Sequence, residues 1–166
     1  MTHPGLTTGF HPIYRDRLLQ EQLQDSYKIK GALRDPTVCP TCRAVFHQGR
    51  WQWMPEPAGA IKHACPACMR IKDHYPAGFV SLSGSFFDAH RDEILLLVQT
   101  VEKHQREQDP LKRIMATENE SGKSLVTTTD IHLARMIGEA IHQAYQGELE
   151  FRYNTRRSLL LVNWKH

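Results

Sequence analysis

Two short cysteine pairs constrain this chain more than any other feature of its sequence. Cys39 and Cys42 lie in "CPTC", and Cys65 and Cys68 lie in "CPAC". These are the only cysteines among 166 residues, and 22 residues separate the two pairs. A tight turn between cysteines three positions apart brings both sulfurs to one side, and two such turns can form a tetrahedron. The spacing therefore predicts a four-thiolate Zn²⁺ site.

Two other kinds of cysteine chemistry remain as alternatives. A thioredoxin-like redox pair needs one C-x-x-C after a strand and at the start of a helix. Here both pairs lie in proline-rich sequence with short alternating pieces such as "RWQWM". A catalytic zinc keeps an open coordination position, which would require His47 or His63 to replace one thiolate. The sequence favours a metal that holds the module in shape.

The rest of the sequence predicts an α+β protein in four segments. Residues 1–33 are polar and form a tail or a short helix around "YRDRLLQEQLQDSYK". Residues 34–84 form a small β-rich zinc ribbon, including an extended "PAGFVSLSG". Residues 85–110 form a connecting helix whose cap is Ser85 or Asp88. Its apolar residues recur every three or four positions: Phe87, His90, Ile94, Leu97 and Val101.

Residues 111–166 predict the order β-β-α-β-β, a sheet with a helix on one face. The first two strands meet at a turn within Asn119–Gly122. The helix has Thr129 or Asp130 as its cap and Gly147 just past its end. Its apolar face contains Leu133, Ile137, Ala140, Ile141 and Ala144. In "ELEFRY" the alternation puts Leu149, Phe151 and Tyr153 on one face of a strand.

Positive charge is concentrated around the cysteines. Residues 28–72 contain eight cationic and two acidic side chains, whereas residues 84–166 contain 11 cationic and 12 acidic ones. A basic patch of this kind is typical of proteins that bind a polyanion. Tryptophans among cations also suit base stacking combined with phosphate contacts. The predicted nucleic-acid-binding residues are Arg43, Arg50, Trp51, Trp53, Lys62, Arg70, Lys72, Arg152, Arg156 and Arg157.

Each of these residues also has a structural explanation. Trp51 and Trp53 could pack the small core beside the metal or cover the second domain. Arg43 and Arg70, which follow the second cysteine of each pair, could offset the negative charge of a zinc–thiolate centre. The cluster "RYNTRR" could be an ordinary solvated hairpin tip.

The stretch "TENESGKS", residues 117–124, nearly matches a phosphate-binding P-loop. That pattern requires a glycine where this chain has Thr117. A P-loop also leads into a helix, whereas "KSLVTTT" predicts a strand. The stretch therefore predicts a hairpin turn at Gly122, and we expect no nucleotide. No Ser/His/Asp order and no paired carboxylates are evident elsewhere in the sequence. Asp130 lies near a helix start, where capping explains it.

The cysteine pairs, "RIKDHYPAGFVSLSG", a long helix and "TTTDIHLARMIGEAIHQAYQGELEF" together resemble a group of small, uncharacterised bacterial zinc-ribbon proteins. That resemblance covers nearly the whole chain from about residue 34 onward. More distantly, the order of elements is similar to the front part of the archaeal and eukaryotic ribosomal large-subunit export adaptor named for nonsense-mediated decay. The chain departs from that adaptor in having only four cysteines, so nuclear export is not implied. The resemblance implies a zinc module beside an α+β domain, used for RNA or ribosome binding.

The sequence thus predicts a non-enzymatic, zinc-stabilised adaptor that binds RNA, with the ribosome as one site of action. The second hypothesis is a protein-interaction module that binds an acidic partner protein, and the third is a nucleotide-dependent enzyme built on the "GKS" turn. No secretory signal and no membrane-length apolar run are evident. We therefore expect a cytoplasmic protein whose thiols stay reduced.

Overall fold

The fold is described from a computed structural model, which covers residues 9–12, Tyr27 and 33–166. The helix predicted around "YRDRLLQEQLQDSYK" lies outside these residues, except for Tyr27. His11 and Pro12 of the predicted tail form a short strand that pairs with a later one. Both helices and strands are present, and the strands form two separate sheets. The predicted α+β class is confirmed.

The smaller sheet surrounds the first cysteine pair. Its strands are short: β2 (Thr37–Val38), β3 (Val45–His47), β4 (Arg50–Gln52) and β5 (Ile61–Lys62), where β1 is the earlier strand His11–Pro12. Their spatial order is β4-β3-β2-β5, with β5 parallel to β2 and the other pairs antiparallel. Helix α1 (Pro66–Asp73) follows. We call residues 37–73 the cysteine module.

The larger sheet has six strands in the order β1-β9-β10-β6-β8-β7. Its remaining strands are β6 (Gly78–Ser83), β7 (Ile114–Glu120), β8 (Lys123–Thr128), β9 (Glu148–Asn154) and β10 (Leu159–Lys165). Strands β6 and β10 are parallel, and the other neighbours are antiparallel. Residues 114–165 follow the predicted β-β-α-β-β order. We call residues 77–166 the sheet domain.

The predicted boundary at residue 84 is wrong for one strand. Strand β6 was grouped with the cysteine module, yet it lies between β10 and β8 near the middle of the large sheet. Phe79, Val80 and Leu82 are buried there. An extended apolar stretch carries no local signal of which sheet it joins, because strand pairing depends on residues far away in the chain.

The single connecting helix predicted for residues 85–110 is two helices, α2 (Ser85–Ala89) and α3 (Arg91–Gln108). Neither predicted cap is used: Gly84 and His90 occupy the N-cap positions without a side-chain cap hydrogen bond. The chain breaks at His90 because α2 is held against the end of β10, where Phe87 N–H donates to the His166 carbonyl at 3.1 Å. Helix α3 packs against the next helix, so it belongs to the sheet domain and does not only connect two halves.

That next helix, α4 (Ile131–Tyr145), begins as predicted. The Asp130 carboxylate accepts from Leu133 N–H at 2.9 Å, which satisfies one of the free donors of the first turn. Leu133, Ile137 and Ile141 are fully buried, with no exposed surface. Helix α4 lies across β6, β8, β9 and β10. The resulting core includes Val80, Leu82, Phe87, Ile94, Val126, Tyr153, Leu160, Val162 and Trp164.

Candidate metal centre and surrounding surface

The first cysteine pair lies in a tight turn directly after β2. Arg43 N–H donates to the Cys39 carbonyl at 2.9 Å, and Cys39 N–H donates to the Ala44 carbonyl at 2.8 Å. Arg43 adopts a left-handed conformation with φ of 69°, which lets the backbone reverse immediately after Cys42. The turn holds both sulfurs on one side, as the spacing predicted.

The second pair starts a helix and does not lie in a simple turn. Cys65 is the N-cap of α1, Pro66 begins the helix, and Cys68 N–H donates to Cys65 Sγ at 3.3 Å. Proline suits this position because the first helical N–H groups have no partner within the helix. The β-rich interpretation of this stretch was therefore wrong. The second pair therefore does lie at the start of a helix, which the sequence did not predict.

The four sulfurs nevertheless form one cluster. Cys39, Cys42, Cys65 and Cys68 offer Sγ atoms that all lie within 4.8 Å of one another, and Cys42 Sγ lies 3.8 Å from Cys65 Sγ. All four cysteines are free. Sulfurs bound about 2.3 Å from a central Zn²⁺ in a tetrahedron would lie about 3.8 Å apart. The cluster can hold a metal ion.

The thiols strongly affect one another's ionisation. Hydrogen bonding with Cys65 lowers the pKa of Cys42 to about 4. The same hydrogen bond and, to a lesser extent, burial raise the pKa of Cys65. Burial also raises the pKa of Cys68. The proton of the Cys65 thiol thus stabilises the Cys42 thiolate through a hydrogen bond. A bound cation would stabilise all four thiolates at once, which is why metal binding is coupled to thiol deprotonation.

Histidines do not take part in the cluster. His47 Nδ1 lies 2.7 Å from the Asp35 carboxylate, and His63 Nδ1 lies 2.9 Å from the Ala64 carbonyl. Among the residues described, the donor set is four thiolates. Four thiolates fill a tetrahedral site and leave no position for a reactive water, which is characteristic of structural metal sites.

Sequence reasoning missed one residue of the site. Arg113, in the stretch between α3 and β7, points its guanidinium at the cluster: Nη2 donates to Cys65 Sγ at 3.2 Å and Nη1 to Cys68 Sγ at 3.4 Å. Burial lowers the pKa of Arg113, but the hydrogen bond to Cys68 and the cluster's charge outweigh burial, so the pKa lies above its ordinary value. No spacing rule links Arg113 to cysteines more than 40 positions earlier.

The two tryptophans have different environments. Trp51 is 7% exposed and packs edge-on against Phe46 in the core beside the cysteines, with ring centroids 5.7 Å apart. The packing explanation therefore applies to Trp51. Trp53 is 40% exposed, and its Nε1–H donates to the Arg106 carbonyl of α3 at 2.6 Å. Part of this indole remains available to a partner.

Two of the predicted phosphate contacts are already engaged. Arg70 is 2% exposed, donates to the Tyr75 carbonyl at 3.1 Å, and lies 4.3 Å above the Tyr27 ring. Its prediction as an exposed phosphate contact is wrong, because α1 turns this side chain inward. Arg43 is exposed and pairs with Glu56 at 2.5 Å. It would have to exchange that partner for a phosphate.

The small sheet separates two other predicted cations. Arg50 lies on β4 and Lys62 on β5, and these strands are the opposite edges of the sheet. Three strand spacings of about 4.8 Å lie between them. The predicted single basic face around the cysteines is therefore not formed by these two residues, although both are exposed.

The large sheet brings other cations to one end. In the parallel pair of β6 and β10, Leu160 lies level with Gly78, and Leu160 N–H donates to the Ala77 carbonyl at 2.9 Å. The turn containing the exposed Arg156 and Arg157 thus lies at the end of the sheet where the chain arrives from α1. The end of α1 and the segment after it present Lys72, His74 and Tyr75, all exposed, together with the exposed Asp73, whose carboxylate accepts from the Tyr27 hydroxyl. Arg152 lies on β9 and pairs with Glu150 at 3.0 Å. We call Lys72, His74, Tyr75, Arg156 and Arg157 the basic end.

The "GKS" stretch forms the predicted hairpin between β7 and β8. Gly122 has φ of 71° in the turn, and Lys123 begins β8. Ser124 is fully buried; its hydroxyl donates to the Asn119 side chain at 2.7 Å and accepts from Arg91 at 3.3 Å. The hydroxyl that would bind a metal–nucleotide in a P-loop is thus used inside the protein, and no helix follows.

No family model, curated protein or solved structure matches this chain. Among the described residues, none of the helices has both the length and the apolar character needed to cross a bilayer.

Proposed function

We propose that this protein is a non-enzymatic adaptor that binds RNA, stabilised by Zn²⁺ on its four cysteines. The observation that carries the proposal is the pairing of a closed, buried thiolate cluster with a separate exposed basic end. The cluster has no position for substrate, so its contribution is to hold α1 in place. The basic end combines cations with an exposed aromatic ring, which are the groups that bind a nucleic-acid strand.

Zinc is the metal that best suits the site. Four soft thiolates in a tetrahedral arrangement select Zn²⁺ or an iron–sulfur centre among common biological metals. Four sulfurs within 4.8 Å of one another, with those of Cys42 and Cys65 3.8 Å apart, can surround a single ion. Metal analysis of purified protein should find about one zinc per chain and a colourless sample. A brown sample with stoichiometric iron would contradict this assignment.

The basic end is the surface that we propose contacts RNA. Lys72, Arg156 and Arg157 carry charge from two segments that the parallel register of β6 and β10 brings to one end of the large sheet. Tyr75 is 36% exposed, and one side of its ring stacks on Tyr27 with centroids 6.0 Å apart. The cations would neutralise phosphates and the aromatic ring would accept a base. Ribosomal RNA in the cytoplasm is the target that the family resemblance favours.

A salt titration tests the surface. For single-stranded RNA each phosphate contact contributes a log–log slope of about −0.7, so three contacts give roughly −2. Replacing Arg156 and Arg157 together by Ala should flatten the slope by about one unit or slightly more. The matched control replaces Arg50 and Lys62 by Ala, which removes the same charge from opposite edges of the small sheet.

Equal losses in the two double variants would mean that the RNA contact is not specific to the basic end, and a loss confined to the Arg50/Lys62 variant would place the RNA on the cysteine module. Absence of binding at low salt by folded, metal-loaded wild-type protein would contradict RNA binding altogether. Tyr75→Ala should cost about 1–3 kcal/mol of affinity with little change in slope, because stacking carries no charge.

A protein-interaction module is the second candidate, and one observation favours it. Strand β5 is an edge of the small sheet, and it exposes Ile61, at 36%, beside Lys62. An edge strand with an apolar and a cationic side chain can add a strand from an acidic partner protein. Nuclease treatment separates the two candidates: it releases whatever co-purifies through RNA and leaves a directly bound protein in place.

A further inference from the structure

We infer that Arg113 is a member of the metal centre. Its buried positive charge stabilises the thiolates and so links metal binding to the docking of the cysteine module on the sheet domain. The inference rests on the proposed metal site and adds to it a residue and a coupling between the two regions.

The guanidinium is placed as a fork across the second cysteine pair. Its two terminal nitrogens reach Cys65 Sγ and Cys68 Sγ, and Nε donates to the Pro110 carbonyl at 2.8 Å. All three nitrogens are therefore engaged. A planar donor of this shape can hold two acceptors at once, which the single ammonium of lysine cannot do in the same way.

The backbone of Arg113 is fixed as firmly as its side chain. Arg113 N–H donates to Thr129 Oγ1 at 3.0 Å, and Thr129 N–H donates to the Arg113 carbonyl at 2.9 Å. Thr129 directly precedes Asp130, the cap of α4. Arg113, which contacts the cysteines, is thus hydrogen-bonded to the residue that links β8 to α4 in the sheet domain.

The buried guanidinium of Arg113 needs a negatively charged partner. Arg113 is 6% exposed, and in the described part of the chain its guanidinium makes no ion pair with a carboxylate. A buried charge without a partner is strongly destabilising. The thiolate cluster is the negative charge that Arg113 faces.

Arg113 also balances part of the negative charge of the metal–thiolate centre. A divalent ion bound by four thiolates leaves two negative charges in excess, and Arg113 offsets one of them. Hydrogen bonds to coordinated sulfur withdraw electron density from it. Partners of metal ligands typically change metal affinity by about 10–100-fold when they are removed.

Arg113 lies within the contact between the two regions. Leu111 packs against the cysteine cluster from the same short stretch, and Trp53 of the cysteine module reaches α3 through the Arg106 carbonyl. Loss of the metal would remove the ion that holds the four sulfurs together, and with it the fixed positions of Cys65 Sγ and Cys68 Sγ, which accept from the Arg113 guanidinium. We therefore expect the stretch 109–113 to loosen when the metal leaves.

The first experiment compares Arg113→Met, which keeps the bulk of the side chain, with Arg113→Lys, which keeps the charge. Arg50→Met, an exposed arginine of the cysteine module, is the control. Zinc affinity is measured by competition with a chelator. Arg113→Met should bind zinc about 10–100-fold more weakly, Arg113→Lys should be intermediate, and Arg50→Met should match the wild type.

A spectroscopic measurement separates a direct effect on sulfur from a general loss of stability. With Co²⁺ in place of zinc, the sulfur-to-cobalt charge-transfer band should move to lower energy in Arg113→Met, because the sulfur electrons are less stabilised. Wild-type zinc affinity together with an unshifted band would overturn the inference. If Arg113→Met does not fold, the same two measurements on Arg113→Lys decide it, and wild-type values for both again overturn it.

Hydrogen exchange on the wild-type chain tests the coupling. Removal of zinc should speed exchange at the Arg113 and Thr129 amides and leave those around Ile137 protected. Unchanged protection at Arg113 and Thr129 would refute the link to docking. Wild-type protein that binds no metal at all would instead refute the proposed metal site, so the two failures are distinguishable.

Discussion

The cysteine module and the sheet domain are stabilised by different means. The sheet domain buries a cluster of 16 residues, including Trp164, Tyr153 and Phe87. The cysteine module buries a cluster of six, of which three are cysteines. Its strands contain only two or three residues each. A core of that size does not offset the conformational entropy of folding without a metal or disulfides.

This contrast shows where each region gets its stability. Apolar burial holds the sheet domain, whereas metal ligation would supply most of the stability of the cysteine module. Trp51 lies in the small core, and Trp164 lies fully buried in the large one. The two indoles can therefore report separately on the two regions when the other tryptophans are changed to Phe.

The largest effect should come from loss of a ligand. Cys65→Ser should abolish zinc binding and unfold the cysteine module, because apparent binding free energies of about 10–16 kcal/mol are largely folding energy in small zinc domains. Metal analysis and the near-ultraviolet signal of Trp51 measure this. The sheet domain should keep its helix α4, and chelation of the wild-type protein should reproduce the result. Retained zinc and an unchanged Trp51 signal would contradict the four-thiolate site.

Removal of Trp51 should be the next largest change. Trp51→Ala empties part of the small core and should cost about 3–5 kcal/mol, most of it seen as weaker zinc binding and earlier melting of the cysteine module. Trp53→Ala is the matched control, because its indole is 40% exposed and loses mainly one hydrogen bond, worth about 1 kcal/mol. Equal effects of the two changes would mean that Trp51 is not the core residue of the pair.

A change in the core of the sheet domain should destabilise that domain and leave the cysteine module unaffected. Ile137 on α4 is fully buried, so Ile137→Ala should lower the unfolding free energy of the sheet domain by about 2–5 kcal/mol. Zinc affinity should stay at the wild-type value. Leu96→Ala on α3 is the control, since Leu96 is 63% exposed and should change stability very little. Thermal melting followed by Trp164, beside chelator competition, checks both expectations; a large loss of zinc would show that the regions do not differ as argued.

The smallest effect should be at the hairpin between β7 and β8. Lys123 is exposed, so Lys123→Ala should change the unfolding free energy by less than about 0.5 kcal/mol. RNA affinity should also stay nearly constant, because the hairpin tip lies at the opposite end of the sheet from the basic end. Calorimetric titration should detect no saturable ATP binding in either protein. ATP binding that disappears in the variant would restore the P-loop hypothesis.

Local sequence signals predicted the features that local physics controls. The cap at Asp130 and the burial of Leu133, Ile137 and Ile141 on α4 follow from signals within one segment, whereas Ala144, which was predicted on the same face, is exposed. The hairpin at Gly122 follows from a left-handed glycine between two strands. The break at His90 was missed because its cause is distant: α2 is held by the last residue of the chain.

The sequence by itself determined that four sulfurs would come together, since two pairs with a fixed short spacing can each form their half of a site without outside help. Tertiary structure decided what surrounds that site. Pairing across the large sheet set β6 beside β10 and thereby brought Lys72 and Arg157 to one end, while strand order separated Arg50 from Lys62. Packing of the two regions also turned Arg113 onto the sulfurs. These relations join residues tens of positions apart, and their energies depend on burial and pairing that no short stretch of sequence encodes.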